Sequence, residues 1–212
     1  MSRLSLTLLT ASLTSLSALM PPATAQAAPF EVVPGAIQLV EFESDAPIEN
    51  IRGLSTEAKG QIALDPRNPN AATGRITVPV ASLRTGNTTR DGHLQQPEWL
   101  DAKAFPELAF ALDAVALDLT GPLELGATAT GRVSGTFTIK GKTKRVTVPI
   151  KVAYLAASDK LKKVYIDGNA LRIKGELTLR LADFGVVPPD HLAGVKVADQ
   201  VSVRFALTAV EK

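Results

Sequence analysis

The sequence predicts an all-β protein whose strands close into an antiparallel eight-stranded barrel, and three observations carry that prediction. Apolar and polar residues alternate with a period of two over long stretches, the spacing of strands with one buried face. Clusters of turn-forming residues separate those stretches. Beyond residue 28 no segment sustains a long helical period. One-faced strands must bury their apolar side, and closing the sheet on itself does so while removing its edges. An eight-stranded barrel is just wide enough to be filled by side chains or to hold one small ligand. The inward residues are largely Val, Ile, Leu and Ala, which leaves room for an apolar guest.

The chain begins with a single basic residue, Arg3, followed by an apolar run dotted with hydroxyls from Leu4 to Met20. Pro21, Pro22 and the small-residue series Ala23 to Ala28 come next. That order of charged start, apolar middle and A-x-A site is the layout of a cleaved secretory signal peptide. Two registers fit, Ala23-Thr24-Ala25 and Ala25-Gln26-Ala27, and the second is preferred. The expected division is a signal peptide over 1–27 and one barrel domain over 28–212, with a periplasmic destination. The apolar run is short for a membrane span of about 20 residues.

Strands are expected near Ile37–Phe42, Ile48–Leu64 and Leu108–Leu119. From Gly74 to Leu83, alternation puts Ile76, Val78 and Val80 on one face. Val133 to Ile139 repeats the pattern with Phe137 between them, and Val146, Val148, Ile150, Val152 and Tyr154 extend it. The clearest strands come last. Leu171, Ile173, Leu177, Leu179 and Leu181 oppose charged or polar neighbours, as do Val201, Val203, Phe205 and Leu207. Turns fall at Asp65–Pro69, Thr120-Gly121-Pro122 and Lys140-Gly141-Lys142. Asp167-Gly168-Asn169 reads either as a hairpin turn or as a kink in one long strand. Pro79 and Pro149 lie mid-strand and cannot donate to a ladder, so each marks an edge or a bulge.

Alternation stops between Ser82 and Phe110, where Thr85, Gly86, Asn87, Thr88, Thr89, Arg90, Asp91 and His93 crowd together ahead of the chain's only Trp, Trp99. A long irregular connection within a β-domain is commonly functional, and this one is expected to form the rim or lid of the barrel. Thr88–Leu94 and Pro97–Ala102 are candidates for one or two short helices in the 84–106 connection, with Thr88 and Pro97 placed to start them.

Composition narrows the function classes. With 23 basic and 21 acidic residues the chain is almost balanced, without the basic stripe and interleaved aromatics of a nucleic-acid binder. It has no Cys, which removes thiol catalysis, Cys-based metal sites and disulfides. His93 and His191 are its only histidines, too far apart in sequence for a familiar metal motif. There is no Gly-x-Ser-x-Gly elbow, and Asp91 with His93 is the only pairing suggestive of acid–base chemistry. Asp183-Phe184-Gly185 lacks every other kinase element, and Gly141-Lys142-Thr143 lacks the upstream Gly of a phosphate loop. No enzymatic activity, catalytic residue, metal or cofactor is expected.

Three separate motifs carry a family resemblance. The run Ser82-Leu83-x-Thr85-Gly86-Asn87-x-x-Arg90-Asp91-x-His93-Leu94, continued by Trp99-Leu100-Asp101 and Phe105-Pro106-x-Leu108-x-Phe110, closely resembles the YceI-like family of periplasmic polyisoprenoid-binding proteins. So do Gly135-x-Phe137-Thr138-Ile139-Lys140-Gly141-x-Thr143-Lys144 and Leu181-Ala182-Asp183-Phe184-Gly185-Val186. The resemblance implies an elongated lipocalin-like barrel whose apolar tunnel holds an isoprenoid chain, with the polar head near the loop-bearing end. The chain departs from the family near its start, where Phe30 to Ile37 and Glu41 to Pro47 lack both histidines of the usual opening.

The expected function is therefore a periplasmic carrier for an amphiphile with a long apolar tail, an isoprenoid quinone or polyprenyl phosphate. The alternative is a stress-protective or interaction module with a side-chain-filled barrel. Asn87, Arg90, Asp91 and His93 are the candidate head-group residues. Arg90 offers a planar fork to a diphosphate or carbonyl. The competing reading has Asn87 or Thr88 capping a short helix and Asp91 pairing with Arg90 or bonding loop amides. Val78, Val80, Phe110, Phe137, Val148, Leu177, Leu179, Val203 and Phe205 are the candidate tunnel lining. Trp99 and Phe105 are read as an apolar plug beneath the loop. The partners expected are an isoprenoid lipid or other long-chain amphiphile and, transiently, a membrane or membrane redox protein. The oligomeric state is open, a homodimer included.

Overall fold

The computed structural model describes residues 27–35 and 37–212, so the expected signal segment lies outside the described residues apart from Ala27. Ten strands form one sheet: β1 (Ala28–Val32), β2 (Leu39–Asp45), β3 (Asn50–Ser55), β4 (Lys59–Leu64), β5 (Thr73–Pro79), β6 (Glu107–Leu117), β7 (Thr128–Ile139), β8 (Lys142–Leu155), β9 (Ala170–Arg180) and β10 (Gln200–Glu211). Two short α-helices join them, α1 (Thr88–Leu94) and α2 (Asp159–Lys162). All pairings among the strands are antiparallel, in the order β1-β4-β5-β6-β7-β8-β9-β10-β2-β3, and β1 also pairs with β10 to close the sheet.

Ten strands occupy eight wall positions. β1 and β2 lie end to end along β10, which meets β2 through Ser202–Ala206 and β1 through Ala209–Glu211. β3 and β4 lie end to end in the next position, against β2 and β1 respectively. The single strand expected over Ile48–Leu64 is thus two, and β1 is a strand that alternation did not reveal. The chain leaves the wall between Val32 and Leu39, and the buried Gln38 fills the breach. Its amide donates to the carbonyls of Val33 and Thr208, and its Oε1 accepts from the Thr208 N–H at 2.8 Å. A side chain thereby supplies the ladder bonds that the departing backbone withdraws. On the far side, paired bonds between Leu54 and Arg84 close the wall where β5 has ended.

The other departures are local. Pro79 ends β5 and passes into a 3-10 turn over Val80–Ser82. A bulge between Leu112 and Ala114 keeps Val115 in step with Val133 across the ladder. Lys140 and Gly141, both with positive φ, make the β7–β8 turn, as the sequence predicts. Asp167-Gly168-Asn169 belongs to the connection from β8 to β9 rather than to a kinked strand, and α2 within that connection was not anticipated. Pro97–Ala102 forms turns only, so the 84–106 connection holds one helix, α1.

Strand direction sorts the connections onto two ends. The 46–49, 80–106, 140–141 and 181–199 segments gather at one end, here the loop end. The 65–72, 118–127 and 156–169 segments close the other. The closed end is packed solid: Phe30, Leu123 and Leu171 are at most 2% exposed, and Phe30 meets Tyr154 edge to face at 6.0 Å.

Candidate functional site

Toward the loop end the same strands enclose an apolar cavity of about 380 Å³, within the usual range for ligand pockets. Its wall comes from alternate positions of β2 and of β5 through β10, such as Phe42, Ile76, Phe110, Val133, Ile173 and Phe205. All six remain partly exposed although they point inward, because the exposed area faces the lumen. Along β10 the lining runs from Val201 to Leu207, about 20 Å of strand.

Glycines keep this lumen open. Phe205 stands directly across the ladder from Gly175, and Phe42 from Gly53. A Cβ at Gly175 would lie 2.6 Å from the Phe205 ring, and one at Gly135 would lie 2.5 Å from the Phe110 ring. A Cβ at Gly53 would run into the Phe42 ring. Each ring lies flat on the wall in space that a side chain would otherwise take, instead of projecting across the tunnel.

The loop end sets polar groups over this lining. Asn87 caps α1, its Oδ1 accepting from the N–H groups of Thr89 and Arg90 at 3.1 Å. Asp91 is buried and accepts from the Thr85 hydroxyl and the Thr85 N–H, both at 2.7 Å. The Thr85 hydroxyl is the chief cause that holds the Asp91 carboxyl below its ordinary 3.8, with the Thr85 N–H adding to it and burial working the other way. Arg90 is aimed by two bonds, Nε to the Thr85 hydroxyl at 3.0 Å and Nη1 to Glu49 at 2.6 Å. Its Nη2 has no partner among the described residues. Arg90, Glu49, His93, Lys196 and Ser44 are the polar side chains that reach the cavity. The segment carrying Lys196 is held to the barrel by the Ile48 N–H on the Val195 carbonyl and the Ala198 N–H on the Ser44 hydroxyl. Among the described residues no group of His, Cys, Asp and Glu is arranged to hold a metal ion.

A closed antiparallel barrel with an apolar lumen and a polar, helix-bearing rim narrows the comparison to few families. A family model described as a YceI-like domain matches residues 32–209. The chain belongs to the YceI-like family. A UPF0312 protein of Pseudomonas putida (strain W619) is 30% identical over 139 residues, 66% of this chain and 65% of that protein. A UPF0312 protein of Enterobacter sp. (strain 638) is 31% identical over 105 residues, 47% of each. The chain thus spans less than two thirds of these relatives' length. Among solved structures, Burkholderia cenocepacia BcnA superposes with a TM-score of 0.64 at 25% identity, over 82% of this chain and 96% of that one. A polyisoprenoid-binding domain of Saccharophagus degradans has a TM-score of 0.65 at 15% identity, over 88% and 99%, a likeness of fold alone.

In this YceI-like barrel the expected lining residues Val78, Phe110, Phe137, Val148, Leu177, Leu179, Val203 and Phe205 all face the cavity. Val80 is buried in the turn after β5 and does not. Arg90 and His93 reach the cavity, whereas Asn87 and Asp91 are spent on capping α1 and tying it to Thr85. Trp99 lies against the cavity under α1, while Phe105 packs against the β7–β8 turn at Gly141. Glu49, Lys196 and Ser44 escaped the sequence reading. They come from two separate segments, the β2–β3 hairpin and the β9–β10 connection, and belong to no local motif.

Proposed function

We propose that this protein is a periplasmic carrier for an amphiphile with a long apolar tail, an isoprenoid quinone or a polyprenyl phosphate. The tail lies along the tunnel, and the head group meets Arg90, His93 and Lys196 at the loop end. The observation that carries this reading is the cavity itself, an apolar lumen that the protein's own side chains leave open. Two relations support it. The chain is of the YceI-like family, and the Saccharophagus degradans domain of the same fold is described as polyisoprenoid-binding.

Each CH₂ of the tail transferred into the tunnel contributes about 0.8 kcal/mol, so affinity grows with tail length. Discrimination then belongs to the rim. The free Nη2 of Arg90 and the ammonium of Lys196 favour a head with acceptor oxygens, a phosphate or a quinone carbonyl. Val203→Trp tests the reading by filling the lumen without adding charge. The variant is expected to fold, to lose uptake of the fluorescent apolar probe N-phenyl-1-naphthylamine, and to take up no polyprenyl phosphate. Unchanged uptake by a folded Val203→Trp variant contradicts it.

A further inference from the structure

The barrel wall is incomplete on one side. β8 and β9 are paired only from Ile150 with Gly175 to Leu155 with Ala170. Toward the loop end β8 keeps its bonds to β7 and β9 its bonds to β10, but the two strands are not bonded to each other. The ladder stops at Pro149, which has no N–H to donate. Val146, Thr147, Pro149, Glu176, Leu177 and Thr178 line the resulting open cleft. Leu177 lines both this cleft and the tunnel, and Val146 beside it packs into the same core. The window is bounded toward the loop end, where Asp183 approaches Lys144 at 4.0 Å.

The outer face around the window is unbalanced in charge. Lys151 and Lys174 stand directly opposite each other across the β8–β9 ladder, a placement that disfavours folding. Arg132 lies across from Pro149 on β7, and Arg180 ends β9. All four are exposed and none has an ion pair among the described residues. The nearby acids are already engaged, Glu176 and Glu43 with Arg204 and Asp113 with Arg145. Two wall positions on from β9, the outer face of β2 carries Glu41, Glu43 and Asp45, of which Glu43 is paired with Arg52 and Arg204.

Resting on the carrier reading above, we infer that the β7–β9 face docks on an anionic lipid bilayer, with the window beside Leu177 serving as the lateral portal through which the apolar tail passes. Two independent observations converge on one face. Unpaired positive charge is complementary to anionic head groups, and the same face holds a break in strand pairing beside the lumen. A tail that moves sideways from bilayer to tunnel avoids crossing water, where each exposed CH₂ is unfavourable.

The full mature chain tests this with vesicles of phosphatidylcholine alone or mixed with phosphatidylglycerol. Wild-type protein is expected to sediment with the mixed vesicles, to be released by salt, and to ignore the neutral ones. The double variant Lys151→Glu/Lys174→Glu is expected to lose about tenfold or more of that binding. Lys160→Glu/Lys163→Glu, the same charge change at α2 on the closed end, is expected to retain it. Equal binding to both vesicle types, or equal loss in the two double variants, overturns the docking face. For the portal, Thr147→Cys with Thr178→Cys places the chain's only two thiols across the window, where a reducible bis-maleimide can bridge them. Bridging is expected to slow transfer of N-phenyl-1-naphthylamine from loaded protein to mixed vesicles at least fivefold, and reductant to restore it. Transfer that is unaffected by bridging overturns the portal. Failure of the probe to load in solution at all sinks the carrier reading instead, so the two failures are told apart.

Discussion

The two ends of the barrel share their strands and differ in what those strands enclose. On β10, Ala209 is buried, whereas Val203 and Phe205 face open space. On β9, Leu171 is buried, whereas Ile173 and Leu177 are not. Residue type does not explain the contrast, since both ends are lined with Val, Leu, Ile and Phe. What differs is whether something fills the centre. At the closed end Phe30 and Tyr154 meet across the lumen and Leu123 folds in from a loop fixed by its N–H to the Pro66 carbonyl. Toward the loop end the large rings lie back against Gly53, Gly135 and Gly175, and the lumen stays open between them and a second buried cluster of Ile139, Leu179, Phe184 and Val186. One wall thus serves two purposes: a solid end that stabilises the fold and a hollow end left to a guest.

The largest expected effect sharpens that contrast. Phe30→Ala leaves a void in the packed end and is expected to cost about 3–5 kcal/mol in urea unfolding. Phe205→Ala, whose ring already faces empty space, is expected to cost about half as much, because fewer contacts are lost. Equal losses at the two positions break the distinction between the ends.

Asp91→Ala is next. It strips the Thr85 N–H and hydroxyl of their acceptor and is expected to cost about 2 kcal/mol, felt mainly in the loop end. The pH dependence follows from the same bonds. The folded carboxyl sits below its ordinary 3.8, so its contribution is complete above about pH 4 and is lost as the pH falls through the depressed value. The chemical shift of the Thr85 amide is expected to hold steady down to that point and then titrate. A transition well above pH 4 contradicts the assignment.

Gly53→Ala probes the hollow end from inside. The new Cβ meets the Phe42 ring and drives it toward the lumen. Stability is expected to fall by about 1 kcal/mol, with a several-fold weaker affinity for N-phenyl-1-naphthylamine measured by fluorescence titration. The smallest change is expected for Arg90→Ala. Its pair with Glu49 is partly exposed and worth less than about 1 kcal/mol to the fold. The carrier reading expects a shift in preference between phosphate and quinone heads with tail uptake retained, and large unfolding instead assigns Arg90 a structural role.

The sequence revealed the barrel because alternation is local: each strand with one buried face announces itself over a few residues. Pro149 announced an edge for the same kind of reason, a missing donor, and an edge stands there. Features that depend on meeting across the barrel left no such trace. Gln38 is one polar residue in an unremarkable stretch, and only Thr208 shows that its amide completes a ladder. β1 left no clear trace in Ala28-Pro29-Phe30, where a proline obscures the alternation. In the rim, the Thr85–His93 motif was visible but not its division of labour. Asn87 and Asp91 turned out to hold the loop, and Glu49 and Lys196 arrive at the cavity from turns that carry no signature.

If the protein is a carrier, the hollow end holds a single apolar-tailed guest. Native mass spectrometry of the gently purified protein, followed by organic extraction, tests this. One lipid adduct per chain is expected, identifiable in the extract and absent from Val203→Trp. A clean apo mass, unchanged after incubation with ubiquinone and with polyprenyl phosphates, contradicts it.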